Sequence, residues 1–455
     1  MKNDFYHALD VFVSEELNLG TNFDVVRKEV TLHQGTAIIY VINSLMDTET
    51  INDLIRSLGN ASSFNNIPKE CENVSISEET DINKAITQVF SGVALILDSI
   101  DESKFYLVET RSYPTRGVDE PSTEKTVRGS KDGFVENIIT NIGLLRRRIK
   151  DKNLIIKIMQ VGQKTKTDVV LVYLKDSKFI KIAETLEKKI QNIEFDELVM
   201  SDRALEEGLF NQKFNHYPLV RYSERPDVVA VNIIQGYVAM IVDTSPSVIL
   251  TPTTLFEHIE HVEEFRQTPI VGTFTRIFRL IAVLISVFLV PLWMVLVLET
   301  DFSGVFLLRP ENEVPTNLFI QVLIVEVMIE VLRIATIHTP SALSSAISLV
   351  AALLLGQMAV EIGVFIPEVL LYGALSAMGG FATPSYELSL ANKITKMFLI
   401  ILVGLFRKTG FLIGMFLLFL YLVSIKVFSV PYLYPFIPFD YKKCLSLFYR
   451  PSKNK

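Results

Sequence analysis

Leu280 to Leu298 is an almost unbroken run of apolar residues, long enough as a helix to cross the ~30 Å hydrocarbon layer of a bilayer. What precedes it is polar in character. The chain therefore reads as two parts joined in sequence, and the charge divides with them. Of the 44 basic and 51 acidic side chains, 14 and 10 fall in residues 271–455, a net charge of +4, which leaves the first 270 residues at −11. An acidic soluble part excludes nucleic acid as a partner, because phosphate contacts require a basic face. The basic excess gathers after the last apolar run, at Lys442, Lys443, Arg450, Lys453 and Lys455, which the positive-inside rule assigns to the cytoplasmic side. The opening segment MKNDFYHALDVFVSEELNLG lacks a continuous apolar core and does not read as a secretory signal. Cys71 and Cys444 show neither disulfide nor metal spacing, in keeping with a reducing compartment.

The soluble part carries a faint duplication. AIIYVIN (37–43) precedes a helical pattern at 48–58, as VVLVYL (169–174) precedes one at 180–193, and SGVALILDS from Ser91 matches QGYVAMIVDTS from Gln235. Short β-branched strands, helices and Gly-led strands in the same order predict two related α/β subdomains, 1–120 and 121–252, with strands buried against helices. The expected fold class is thus an α/β soluble N-terminal region of two related subdomains followed by an α-helical multi-span membrane domain. Tyr113–Lys125 reads as a turn-rich linker. Arg146–Arg148 end the helical pattern of 133–150, where cations suit the helix dipole. The cluster Gly129-Ser-Lys-Asp-Gly133 lacks phosphate-loop spacing.

Residues 253–279 predict an amphipathic collar or linker helix that couples the two parts. Phe265, Phe274 and Phe278 are its candidate packing anchors, with a bend at Pro269 and Gly272. The membrane domain, 280–428, offers apolar segments at 280–298, 318–336, 342–362, 366–382, 391–406 and 410–428. Six spans return the basic cytoplasmic tail, 429–455, to the side of the large domain; the short fifth segment and Arg407-Lys408 leave five spans open.

Ionisable residues inside such segments cost about 2.5–3.5 kcal/mol each on insertion, so they usually face protein or water. Glu326, Glu330 and Arg333 lie within ~60° of one another around the second helix, Gln357 and Glu361 repeat the i, i+4 spacing on the third, and Glu368 follows Pro367. These six are the pore or gate candidates. The same spacing equally suits ion-pair glue between helices. The stretch 381–393 reads as a polar loop at membrane depth, with Pro384, Ser385, Tyr386, Glu387, Asn392 and Lys393 as its notable members. His258 and His261, one turn apart, read as a solvated face. No catalytic constellation, metal-ligand spacing or cofactor motif stands out, so the chain is not expected to be an enzyme or to hold a cofactor.

RGSKDGFVEN (128–137), TNIGLLRRRIKD (140–151), VGQKTKTDV (161–169), ERPDVVAVN (224–232), GQMAVE (356–361) and ATPSYELSLANK (382–393) occur in order along the chain. Together they resemble the A subunits of GerA-type spore germination receptors, and the last of them is nearer a sporulation branch of that family than its nutrient-receptor members. The resemblance implies a multi-pass protein of the spore inner membrane with its large domain on the cytoplasmic or core side. It further implies a homo-oligomer around an ion-conducting pore, with membrane lipids, other germination membrane subunits and monovalent cations as partners. The sporulation branch is implied to amplify ion release. A secondary transporter and a non-conducting scaffold are the competing classes; the first needs an inverted repeat that these segments do not display.

Overall fold

The computed structural model describes residues 2–71, 75–98, 105–112, 129–193, 195, 201–210, 212, 214–299, 317–338, 359–361 and 363–450. The chain forms two compact units, Met1–Asn211 with Val220–Pro252, and Gln212–Leu219 with Thr253–Lys455. Residues 342–358 of the third apolar segment, Gln357 among them, residues 300–316, the whole Tyr113–Lys125 linker, Lys453 and Lys455 lie outside the described residues.

The first unit contains the same run of elements twice. The first copy is α1 (Lys2–Glu16), β1 (Val25–Thr31), β2 (Thr36–Ile42), α2 (Thr48–Asn60), α3 (Ile67–Glu70), β3 (Ile76–Glu79), α4 (Ile82–Val89), β4 (Ala94–Asp98) and β5 (Phe105–Val108). The second is α5 (Ile138–Arg148), β6 (Leu154–Val161), β7 (Thr167–Leu174), α6 (Ile180–Gln191), α7 (Ser201–Leu209), β8 (Arg221–Ser223), α8 (Pro226–Ile234), β9 (Val238–Val242) and β10 (Val248–Thr251). The sheets have equivalent orders, β1-β2-β4-β5-β3 and β6-β7-β9-β10-β8, and every pairing is antiparallel. The apolar runs noticed in the sequence are β2, β4, β7 and β9; their hairpin partners alternate less cleanly and escape pattern reading.

Period-2 alternation explains why β2 is apolar throughout. Ile38, Tyr40 and Ile42 enter a core with Val13 of α1, Leu17 just after it, and Ala85, Ile86 and Val89 of α4. Ala37, Ile39 and Val41 enter another with Ile51, Leu54 and Leu58 of α2. Asp47 caps α2 by accepting from Thr50 N, and Asn137 caps α5 by accepting from Thr140 N. Each cap satisfies one of the helix's unpaired N–H groups.

A buried ion pair ties the two copies together. Arg146 donates from Nε and Nη2 to the two carboxylate oxygens of Asp24 at 3.0 and 2.9 Å, and both side chains are fully buried. Asn22 beside it bridges to the second sheet, its side chain donating to Leu154 O and accepting from Ile156 N. Arg146 is therefore an inter-repeat tie, not a helix-end surface charge. Arg148 does meet the helix end, donating to Leu144 O at 2.9 Å, and also reaches Ser130 and Asp132. Ser130 and Asp132, in the glycine-flanked cluster, thus serve as a latch for a guanidinium.

The second unit comprises α9 (Val262–Arg266), α10 (Pro269–Leu298), α11 (Leu318–His338), α12 (Ala359–Glu361), α13 (Pro367–Phe381), α14 (Tyr386–Ser424), a small ladder of β11 (Lys426–Val427) with β12 (Val430–Pro431), and α15 (Tyr441–Phe448). Two helices, Pro269–Leu298 and Tyr386–Ser424, are long and apolar enough to cross a membrane. The second is not one rod. Arg407 sits at φ 50°, ψ −132°, and a Cβ on Gly414 would lie 2.6 Å from Leu399 Cδ2, whereas fifteen residues of straight helix span ~22 Å. The chain reverses at Arg407, and Gly410 makes room where a Cβ would fall 2.0 Å from Leu402 O.

Two expectations are corrected here. The collar is two helices that break at Gln267–Thr268, just before the expected bend; Pro269 is the first residue of α10, and Gly272 lies inside that helix against Glu264 O. Phe265, Phe274 and Phe278 are about half exposed, with Phe265 against Arg276 and Arg450 and Phe274 against Phe278; the buried contact there is Glu264, which takes Arg276 Nε at 2.6 Å and also Arg279. In the expected polar loop, Ser385 caps α14, accepting from Leu388 N at 3.2 Å, so Tyr386, Glu387, Asn392 and Lys393 are helical and only the residues around Pro384 form the turn.

α10 and α13 cross at a glycine. A Cβ on Gly379 would stand 2.4 Å from Ala282 O and 3.0 Å from Ser286 N, backbone atoms that cannot swing aside. Gly379→Val should force the helices apart at a cost of about 1–3 kcal/mol. Trp293, the only tryptophan, stacks on Tyr372 at 4.7 Å across the same pair of helices. Its emission should therefore shift to the red together with a lower melting temperature; unchanged emission would contradict the crossing.

Candidate functional site

The charged residues of α11 meet the first arm of α14. Lys396 Nζ lies 2.6 Å from Glu326 Oε2, with both side chains buried. Lys396 also donates to Ser376 Oγ at 3.0 Å, and Ser376 in turn donates to Ser286 O on α10. One turn along, Lys393 Nζ lies 2.7 Å from Glu330 Oε2, and Arg333 holds the same carboxylate while donating to Tyr386 OH at 2.9 Å. Glu326, Glu330, Ser376, Lys393 and Lys396 are among the residues that line a cavity of about 640 Å³.

The structure thus brings Glu326, Glu330, Arg333, Tyr386, Asn392 and Lys393 to one place. Glu361 is exposed on α12, and Glu368 lies half-buried in the first turn of α13; among the described residues neither forms an ion pair. Ser385 bonds Glu387, which stays at the cap. Sequence reading missed Lys396 and Ser376. The signal was available: Lys393 and Lys396 are i, i+3 on an apolar helix and so share a face, as Glu326 and Glu330 do at i, i+4.

A second constellation involves residues 212–219, which lie within the sequence of the second repeat yet pack with the helices. Tyr217 OH is 2.9 Å and His216 Nε2 3.2 Å from Thr395 Oγ1. Tyr421 OH donates to Asn215 at 2.8 Å, and its ring stacks on His216 at 5.3 Å. Thr395 belongs to the first arm of α14 and Tyr421 to the second, so the segment clamps both. Thr395 is also the immediate neighbour of Lys396. His258, expected on a solvated face, is buried beside Thr253, and His261 caps α9 by accepting from Glu263 N.

Burial holds the His216 imidazole below its ordinary pKa, because desolvation disfavours the cation. A base with a depressed folded pKa contributes stability that is present above the unfolded value of about 6.5 and is lost as pH falls through the folded one. Acidification below about pH 6.5 should therefore loosen the clamp. In detergent, thermal unfolding between pH 5 and 8 should fall more steeply on the acid side for the wild type than for His216→Gln, and parallel profiles would contradict this assignment.

A duplicated antiparallel α/β unit followed along the chain by two helices long and apolar enough to cross a membrane, with one buried and one half-buried ion pair between α11 and α14, sets the class of protein. Residues 14–455 match the family described as Bacillus/Clostridium GerA spore germination protein, and the chain belongs to that family. It is 42% identical over 458 residues to stage V sporulation protein AF of Bacillus subtilis (strain 168), covering 97% of this chain and 92% of the relative. It is 30% identical to spore germination protein KA of the same organism, covering 93% and 80%. An uncharacterised membrane protein of that organism, YfkQ, is 28% identical, covering 83% and 74%. The relatives are germination, sporulation and membrane proteins, and the sporulation branch read from residues 382–393 is among them.

Proposed function

We propose that this protein is a multi-pass A-type subunit of a germination complex in the spore inner membrane, self-associating to release monovalent cations or to amplify that release. The observation that carries the reading is the pair of interhelical bridges, Glu326–Lys396 and Glu330–Lys393, around a cavity between apolar helices. Charges at such depth are kept for ion paths or for holding helices together. Paired, they close the path; separated, they would line it with carboxylates and ammonium groups. Large apolar side chains exposed along α10, α11 and α14, among them Leu284, Val331, Leu405 and Phe416, suit lipid or a second copy. Arg450, near the end of the described chain, donates to Gln267 O and Phe265 O beside the start of α10. That contact favours an even number of crossings, with the tail on the side from which α10 enters.

Coupling in this reading runs through residues 212–219 onto Thr395, next to Lys396, and through the Glu264–Arg276 contact at the head of α10. Purified protein in planar bilayers tests the function. Unitary cation currents that change when Glu326 or Glu330 is neutralised at constant protein level are the expected result. Slow saturable flux would instead indicate a transporter, and silence in every assembly state a scaffold.

A further inference from the structure

The short helix α15 turns its apolar stripe away from the protein. Tyr441, Leu445 and Phe448 recur at i, i+4 and i+7, within ~60° of one another around the axis, yet they are 68%, 50% and 48% exposed. The buried residue of the helix is the small Cys444. Phe439, just before the helix, is 70% exposed. An apolar stripe left uncovered among polar residues marks a surface that meets something apolar.

Where the helix is held decides what covers it. Arg276 donates from Nη1 to Ser446 O, Arg450 N donates to Thr273 Oγ1 at 3.1 Å, and the Arg450 guanidinium donates to Gln267 O and Phe265 O. These bonds seat the last turn of α15 beside the first two turns of α10, four residues or ~6 Å of helix before the apolar run from Leu280 begins. Ile270, Phe274 and Phe278 of α10 are exposed at the same level. Aromatic side chains and lysines at the mouth of a membrane-length helix suit the headgroup region of a bilayer.

Charge selects the lipid. Residues 440–455 hold five basic side chains and one acidic. The acid, Asp440, is engaged by Tyr434 OH and Lys443 N, and the nearby Glu260 and Glu264 hold Arg276 and Arg279. Lys442 and Lys443 are exposed, and the carbonyls that Arg450 meets leave its charge uncompensated. We infer that α15, with Lys442, Lys443 and Arg450, is a docking surface for anionic phospholipid, whose headgroups meet these cations while the stripe of Tyr441, Leu445 and Phe448 enters among the acyl chains. The inference rests on reading α10 as a membrane span, and it deepens that reading by a lipid class and a place on the chain.

The test uses the full chain with Cys71→Ser and Cys444→Ser, and with Leu445→Cys carrying an environment-sensitive fluorophore, in phosphatidylcholine nanodiscs that hold one copy each. Phosphatidylglycerol bearing a nitroxide near its headgroup should quench the fluorophore at a mole fraction about fivefold or more below that needed with nitroxide-bearing phosphatidylcholine. Lys442→Gln should raise the phosphatidylglycerol requirement about fivefold, the worth of one cation at a charged surface, and about 0.5 M salt should act in the same direction. Phe439→Cys gives a second reporter, and all variants are compared in protein whose Trp293 emission is native. A fluorophore on Leu284→Cys, read with a nitroxide deep in the acyl chains, reports separately whether α10 lies in the bilayer. Quenching at 284 with none at 439 or 445 overturns this inference alone, and quenching at none of the three overturns the membrane reading with it. Equal quenching by the two lipids, unaltered in Lys442→Gln, overturns the assignment to anionic lipid. Quenching at 445 that is lost when discs hold two copies gives the stripe to a second copy instead. Because lipid contact is read directly, a channel that fails to conduct leaves this result intact.

Discussion

Lys396→Met is expected to destabilise the helical unit by about 3–5 kcal/mol, because it removes one partner of a buried pair and leaves a carboxylate in an apolar surrounding. Glu326 has no second partner to fall back on: its other oxygen is unbonded in the protein. The double variant Glu326→Gln/Lys396→Met should recover most of the loss, since removing both charges removes the desolvation cost as well. Glu330→Gln should be far milder, about 1 kcal/mol or less, because Glu330 and Lys393 are partly exposed and Arg333 keeps Tyr386. Melting temperature in detergent and protein level in spore membranes measure all three. The pattern also separates the two roles weighed for these residues. If the pair is only glue, the double variant restores both assembly and ion retention. If it is also the closed gate, the double variant restores assembly while ion release becomes premature. Equal stability of Lys396→Met and wild type would sink both.

The strongly patterned elements were legible in the sequence. β2, β4, β7 and β9 are apolar on both faces because helices cover both sides of each sheet, so they stand out as continuous runs. β1 has a mixed pattern, with Arg27, Lys28 and Glu29 at its centre, and β3 and β8 are only four and three residues long. Such strands are fixed by their partners, which sequence periodicity does not contain. The antiparallel order was therefore invisible, although its repetition was not. In the helical unit, Glu326, Glu330 and Arg333 were found because charge inside a long apolar run is rare. Lys396 was missed although it lies inside the apolar segment 391–406; that Ser385 starts the helix at Tyr386, and so sets Lys393 and Lys396 on one face, was not read. The clamp of Asn215, His216 and Tyr217 carried no local signal at all. Its partners are ~180–205 residues away in sequence, and only the fold brings them together.

Arg146→Met should be the most damaging single change in the α/β unit, again by about 3–5 kcal/mol. The guanidinium grips Asp24 with two parallel hydrogen bonds and lies 5.7 Å over the Phe90 ring, while Asp24 is otherwise held by Ser44 Oγ at 3.2 Å. Lysine cannot reproduce the fork, so Arg146→Lys should lose a large share of the same energy. Asp24→Leu/Arg146→Leu should regain much of it, because no charge is then left buried. Pulse proteolysis in urea, with fragments assigned by mass spectrometry, reads the effect repeat by repeat. The tie sits at the joint between the copies: Asp24 precedes β1, Arg146 ends α5, and Asn22 bonds β6. Its loss should therefore let one sheet open before the other, replacing a single transition with two. Were Arg146→Met to unfold in one step at the wild-type urea concentration, the two repeats would not depend on this pair.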